Sequence, residues 1–552
     1  FLLESGRLAV EVVRGQNTET VAHLHAGAPF GELSMITGRV CSADVRVVAD
    51  STVAIIPDEA LQELPEERHV IVQVLAMTMA EGLHTSIRGG GEPTGARVVL
   101  LQQHVGWKAP LAFAVELARS LARQAEWSVL RVEIKTAVSQ GPATGVDGVS
   151  VASVSSLNGP DAAVAELNAQ LPRWRQRFAC IVLNTAAELT TFADAFAPLC
   201  DWNGYLLGAF DRLHKAISPR EFVVQDSAGP TLLQLSGREQ LISDVALAEE
   251  AHLSRQAVGL RFLRTVDSIA RCIAHLQVGV AFGGGGAWAW SHIGVLRAFE
   301  RAGVPIDCVS SCSMGSQIAA LMATGRDTSA LEDVVKEWHR RFYRLLEYRF
   351  WRMHLGRASA IAGFMREQFG DRLVNGTDLP FWPNALDIEA VEEVALADGD
   401  IVSALMASMA LPAWLPPKLR HSRLLVDGVF INPVPVSLTR RMHCHFNIAL
   451  NAIGPFKARA LPRRFPFRAY DLVSRCLRIV GHQIGQSRIE AGADAILVPD
   501  LPPETSMLSF DRYKDMIAAG ERAAEARLPS ILATYGELRR SASSARAAIP
   551  TS

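Results

Sequence analysis

Four serines and two cysteines crowd into the nine residues Cys308-Val-Ser-Ser-Cys-Ser-Met-Gly-Ser316. A serine hydroxyl is a weak nucleophile at neutral pH and needs a base within hydrogen-bond reach. It also needs a sharp turn that exposes Oγ, which small residues two before and two after it permit. Ser313 has Ser311 and Gly315 at those places, a G-x-S-x-G elbow with its first glycine replaced by serine. Ser310 would have a cysteine on each side, Ser311 would have the branched Val309, and Ser316 falls inside the helix expected from Ser-Gln-Ile-Ala-Ala-Leu. The competing structural reading is a serine-rich helix N-cap.

Two further stretches carry chemistry-bearing types. Gly283-Gly-Gly-Gly286 follows the apolar run QVGVAF and precedes the helical pattern SHIGVLRAFERAG. Bare amides at such a helix start favour negative charge. They fit a phosphate cradle, an oxyanion hole or a tight strand–helix turn. Leu424-Leu-Val-Asp427-Gly428 ends an apolar strand in an acid. That acid is a turn initiator or a base held where an α/β sheet opens its site.

The elements that must position these residues follow from periodicity. Residues 1 to about 60 alternate short apolar runs (RLAVEVV, VAHLHAG, VRVVAD, TVAIIP) with turns, a small antiparallel β pattern, and a helical stretch follows over about 67–86. Arg88-Gly-Gly-Gly-Glu-Pro-Thr-Gly95 reads as a linker. Beyond it RVVLLQ, WSVLRVEI, RFACIVLNT and GYLLGAF read as strands alternating with helices, hence a parallel sheet. With neither a GxxxxGK[ST] loop nor a GxGxxG after its first strand, this layer is Rossmann-like without the nucleotide site. Alternation resumes at about 277 and runs to about 500, Leu-Pro-Ser-Ile-Leu-Ala-Thr-Tyr-Gly-Glu-Leu-Arg-Arg540 ends the last helix, and 541–552 reads as a disordered tail.

The Gly-rich turn, the serine elbow and the Asp-Gly strand end, in that order, resemble the patatin-like phospholipases. So does Ala407-Ser408-Met409-Ala410-Leu411-Pro412-Ala413-Trp414-Leu415-Pro416-Pro417 ahead of the aspartate. The resemblance implies an α/β/α hydrolase domain over 277–530. It implies Ser313 as nucleophile, Asp427 as its direct base, the amides of Gly284, Gly285 and Gly286 as oxyanion hole, and neither metal nor cofactor. Four positions depart from the family pattern. Trp288 stands for an arginine, Ala289 and Ser311 for glycines, and Val429 for a small residue. They leave a second reading, a weak or inactive scaffold with a regulatory or membrane-associated role. The aromatic and basic stretch at 338–383 (WHRRFYRLLEYRFWRMHLG, LPFWP) could line an acyl cleft or form a packed helix pair.

Phe30-Gly31-Glu32 to Val45 resembles the phosphate cassette of cyclic-nucleotide-binding domains, which implies a β-roll over 1–88 with Glu32 on the ribose. The phosphate-binding arginine's place falls on Cys41, and the nearest arginine, Arg39, sits two residues early. Cyclic nucleotide is therefore not expected as a ligand. This layout ahead of a patatin-like domain resembles the neuropathy target esterase family, and it implies a multidomain lipid-ester hydrolase acting on lysophospholipids or phospholipids, with 96–265 as the middle layer.

Whole-chain properties set the remaining bounds. The 552 residues carry 20% charged side chains and a formal charge of -2, which gives no global signal for nucleic acid. The eight cysteines include no C-x-x-C pair, which suits a reducing, cytoplasmic compartment. The chain starts at Phe1 in the middle of a β pattern, so the sequence is expected to be N-terminally incomplete; peripheral membrane contact stays open. His443-Cys444-His445 is too tight for one metal, and His292 reads as a packed histidine.

Overall fold

A computed structural model of the chain describes residues 2–14, 17–25, 30–31, 44–55, 97–103, 110–135, 149–155, 160–185, 197, 200–207, 220–225, 231–235, 238–242, 260–345, 358–412, 414–454, 479, 481–486, 489, 492–502 and 504–544. Backbone contacts divide it into two units, Phe1–Gly95 and Ala96–Pro550. The expected helix at 67–86, the linker at 88–95, and Glu32, Arg39 and Cys41 lie outside the described residues.

The first unit holds a three-stranded antiparallel sheet of β1 (Leu2–Arg14), β2 (Asn17–His25) and β3 (Asp44–Ala54), in the order β2-β1-β3. The sequence pattern predicts two strands, VRVVAD and TVAIIP, where the structure has only β3. The polar Asp50-Ser51 that suggests a turn is absorbed as a bulge, since Ser5 faces Thr52 but Arg7 faces Ala49.

The second unit begins with an eight-stranded sheet. In chain order it comprises β4 (Arg97–Gln103), α1 (Pro110–Ala125), β5 (Val129–Lys135), β6 (Val149–Ser155), α2 (Pro160–Arg177), β7 (Cys180–Thr185), β8 (Trp202–Leu207), β9 (Glu221–Gln225), β10 (Thr231–Leu235) and β11 (Arg238–Ile242). The strand order is β11-β10-β9-β8-β4-β7-β5-β6. The six strands from β6 to β9 are parallel, whereas β10 and β11 add antiparallel at one edge. Numbered by themselves the parallel strands run 3-2-4-1-5-6, which differs from the dinucleotide-binding order 3-2-1-4-5-6. α3 (Leu260–Ala274) packs Val266, Ile269, Ala270 and Ile273 into this layer's core beside Leu117 and Leu121 of α1. The middle layer therefore extends past the expected boundary at 265, because the apolar face of that helix continues to its end.

The remaining sheet carries the glycine, serine and aspartate stretches singled out in the sequence. Its elements are β12 (Val278–Phe282), α4 (Ser291–Ala302), β13 (Cys308–Ser311), α5 (Met314–Ala323), α6 (Thr328–Leu345), α7 (Ala358–Phe369), β14 (Phe381–Asp387), β15 (Glu392–Ala395), α8 (Ile401–Ser408), β16 (Lys418–Arg420), β17 (Arg423–Asp427), α9 (Val436–Arg441), β18 (Phe446–Leu450), β19 (Ala495–Leu497) and α10 (Tyr513–Ser544). The order is β16-β17-β14-β13-β12-β18-β19, with β15 on β14. β13, β12, β18 and β19 are parallel neighbours, and β17 runs antiparallel to β14. Alternate residues of β12 enter different cores: Val278, Val280 and Phe282 join the large cluster on one face, and Ala281 joins Val434 and Val436 on the other. Both faces are thus covered, as a parallel sheet requires.

α10 continues four residues past the expected end at 540, so 541–544 are helical rather than tail. Its Gly520 and Gly294 of α4 let the two helices touch backbone to backbone. A Cβ at Gly294 would fall 1.9 Å from the Ile517 carbonyl oxygen. Among the described residues no helix is long and apolar enough to cross a membrane.

Candidate active site

β13 delivers the serine cluster, and each hydroxyl meets a different fate. Ser310 donates to the Pro435 carbonyl at 2.7 Å on the α9 side of the sheet. Ser311 is buried in the ladder between Phe282 and Pro383, its Oγ without a partner among the described residues. Ser316 lies inside α5. Ser313 alone stands at the strand–helix junction, with φ 51° and ψ -130°. A non-glycine residue held there is strained, and that conformation turns its side chain out of the bend. Gly315 is required two residues on, because a Cβ there would sit 2.4 Å from the Gly283 carbonyl oxygen.

The Ser313 hydroxyl donates to Oδ2 of Asp427 at 2.6 Å. The other carboxylate oxygen, Oδ1, accepts the Val429 N–H at 2.9 Å, and the Cys312 thiol lies 3.9 Å from it. Asp427 is fully buried and Ser313 is not. Burial raises the Asp427 pKa from 3.8 to about 7, against the downward pull of the Ser313, Val429 and Cys312 hydrogen bonds. Burial also pushes the Cys312 thiol well up, so it stays protonated beside the carboxylate.

The glycine turn passes directly behind the serine. A Cβ at Gly284 would lie 3.1 Å from the Ser313 Cβ. Of the three expected oxyanion donors, Gly284 is already engaged: its N–H donates to the Pro433 carbonyl at 3.0 Å. The amides of Gly285 and Gly286 have no acceptor among the described residues. Gly285 (φ 145°) and Gly286 (φ 58°) need glycine's backbone freedom, and Gly286 also lacks room for a side chain against Met507. His292 is fully buried behind the turn. It donates from Nε2 to the Gly283 carbonyl at 2.9 Å, and burial lowers its pKa to about 4, so it braces the turn as a neutral ring.

Around Ser313 opens an apolar cleft. Of its lining side chains among the described residues, Ser313 and Asp427 alone carry a hydroxyl or a carboxyl; Trp288, Trp338, Ile361, Leu411, Trp414 and Phe510 are among the rest. Three of the four positions that depart from the family pattern have a definite place in the site, whereas the buried Ser311 hydroxyl has no structural explanation. Trp288 forms a wall and donates its indole N–H to Thr505 Oγ1 at 3.2 Å, Ala289 is fully buried, and Val429 lines the cleft while its N–H holds Asp427. Trp338 both lines the cleft and stacks on Phe510 at 5.8 Å, so lining and helix packing coincide there; 346–357 lie outside the described residues. His443 and His445 are exposed while Cys444 between them is buried.

Sequence reasoning missed the supports. Ser408, Pro433, Thr505 and Met507 act through a hydroxyl or a carbonyl contributed from a distant segment. Only Ser408 carried a signal, its place in the Ala-Ser stretch.

Residues 280–440 match the family model described as patatin-like phospholipase, and residues 1–68 match that of the cyclic nucleotide-binding domain. Patatin-like phospholipase domain-containing protein 6 of Homo sapiens is 31% identical over 250 residues, covering 44% of this chain and 17% of that protein. Neuropathy target esterase sws of Drosophila melanogaster is 28% identical over 191 residues, or 33% of this chain and 13% of its own. Patatin-like phospholipase domain-containing protein 7 of Rattus norvegicus is 24% identical over 502 residues, 82% of this chain and 36% of that protein. The chain thus spans well under half the length of these relatives.

Proposed function

The chain combines a cyclic nucleotide-binding domain with a patatin-like phospholipase domain and resembles the neuropathy target esterase family; from that premise we propose that it is a serine esterase cleaving carboxylic ester bonds of lysophospholipids or phospholipids. The single observation that carries the proposal is the 2.6 Å contact between Ser313 Oγ and Asp427 Oδ2 in the wall of an apolar cleft.

Asp427 takes the Ser313 proton as Oγ bonds to the ester carbonyl carbon. A pKa of about 7 makes its carboxylate a far better base than an ordinary aspartate while leaving it ionised above neutrality. The tetrahedral oxyanion accepts the amides of Gly285 and Gly286; one such donor typically lowers the barrier by about 3–4 kcal/mol. Collapse breaks the ester C–O bond, and the leaving alkoxide receives the proton from Asp427. Water then attacks the acyl-serine, giving its proton to the same carboxylate; collapse breaks the acyl C–Oγ bond, Asp427 returns that proton to Ser313 Oγ, and the fatty acid leaves. The apolar walls hold the acyl chain and exclude bulk water. We assign the β-roll to 1–88, the Rossmann-like layer to 96–265 and the hydrolase to 277–530, with the middle layer extended through α3.

The test is fatty-acid release from lysophosphatidylcholine and from a short-chain aryl ester. Ser313→Ala should lower both by about four orders of magnitude or more, with the fold retained. Equal rates in variant and parent would contradict the proposal.

A further inference from the structure

The end of α8 holds both members of the proposed dyad by their backbones. Ser408 Oγ accepts the N–H of Ser313 itself at 3.1 Å and bonds to Ser316 Oγ at 2.9 Å. Two residues on, the carbonyl of Ala410 accepts the N–H of Asp427 at 3.0 Å. Ser408 and Ala410 are fully buried. At its other end α8 is anchored by Asp400, which caps the Ser403 N–H at 2.8 Å and forks with Arg366 at 2.6 and 3.0 Å.

We infer that Ser408 is a positioning residue for the proposed hydrolysis, holding the nucleophile in its strained conformation and, with Ala410, setting its distance to the base. The inference rests on the reading of Ser313 as nucleophile and Asp427 as base. Ser313 sits at the N-cap of α5, where its N–H has no intrahelical acceptor. Its positive φ costs energy, and rotating the residue back toward an ordinary conformation would relieve the strain. Ser408 opposes that rotation, because the strained conformer is the one in which the half-buried amide finds an acceptor. Asp427 reaches Ser313 from another strand, and its backbone is tied to the same three-residue segment. The Oγ–Oδ2 separation is thereby fixed through one short covalent path rather than through side chains alone.

Ser408→Ala removes the acceptor and keeps α8, since alanine is the better helix former. Its kcat should fall about 10- to 100-fold with KM changed less than about twofold, as expected for a misplaced reacting atom. Fluorophosphonate inactivation should slow in parallel, and the Ser313 amide should lose its protection from hydrogen–deuterium exchange. Ser316→Ala removes only the second partner of Ser408, so Ser313 protection should persist and kcat should fall less than about tenfold. Parental kcat and parental Ser313 exchange in Ser408→Ala would overturn the inference. A lowered melting temperature with unchanged kcat would overturn it too, by assigning Ser408 to packing. A parent protein that neither hydrolyses esters nor reacts with fluorophosphonate would overturn the esterase reading and this inference with it; the exchange result keeps the two failures apart.

Discussion

Asp427 must be a carboxylate to accept the Ser313 proton, and burial holds its pKa near 7. The account predicts that kcat/KM rises with pH through about 7 as one proton leaves, and then levels. A pH-independent rate between 5 and 9 would contradict Asp427 as base. The same shift has a consequence for stability. Between about 4 and 7 the folded protein binds a proton that the unfolded chain has lost, so the Asp427 contribution to stability falls as pH rises across that window. Above it, the buried ionised carboxylate costs on the order of 4 kcal/mol relative to the unfolded state. Asp427→Asn should therefore be inactive, yet melt higher than the parent at pH 8 and about equally at pH 4; calorimetric scans at the two pH values check this. Ser313, Asp427 and the glycines were legible in the sequence because sharp turns demand small residues, which leave a visible pattern. The Pro433 carbonyl that occupies the Gly284 amide left none, since any residue supplies a carbonyl.

The elements that carry the proposed site are fixed where the middle layer meets the second sheet of this unit. α3 packs its apolar face into the middle core and turns Arg271 toward Asp307, just ahead of β13. Arg271 Nε donates to both Asp307 oxygens at 3.1 and 2.9 Å, Nη2 adds a third bond at 2.8 Å, and Asp307 also accepts the Val278 N–H that opens β12. Both partners are buried, so removing one leaves an uncompensated charge. Arg271→Met should lower unfolding free energy by about 3–5 kcal/mol, measured by urea denaturation, with kcat retained in the remaining folded protein. An unchanged midpoint would show the pair to be dispensable. The strands β12, β13 and β17 that lead into the proposed site were readable as apolar runs ending in turn residues. The antiparallel strands β10 and β11 at one end of the middle sheet were not, because short half-polar segments such as Arg238–Ile242 look like loop until a neighbouring strand pairs with them.

At the scale of the whole chain, the region matching a cyclic nucleotide-binding domain precedes the region matching a patatin-like phospholipase. Its sequence puts Cys41 where the phosphate-binding arginine belongs and Arg39 two residues early. A thiol cannot form the charge-assisted bidentate bond that a cyclic phosphate needs. Calorimetric titration of the full chain with cyclic AMP and cyclic GMP should accordingly show no saturable heat, and clear saturation would overturn this expectation. The order of the two matched regions was legible from their motifs. The reach of α3 beyond 265 was not, since its two sides serve different sheets and sequence periodicity shows only that the helix is amphipathic.

Reaction with a fluorophosphonate, followed by mass-spectrometric location of the adduct in parent and Asp427→Asn, tests the nucleophile and its base together. The account predicts a single adduct on Ser313 in the parent and its loss or severe slowing in the variant. An adduct on another residue, or equal labelling of Ser313 in both proteins, would contradict it.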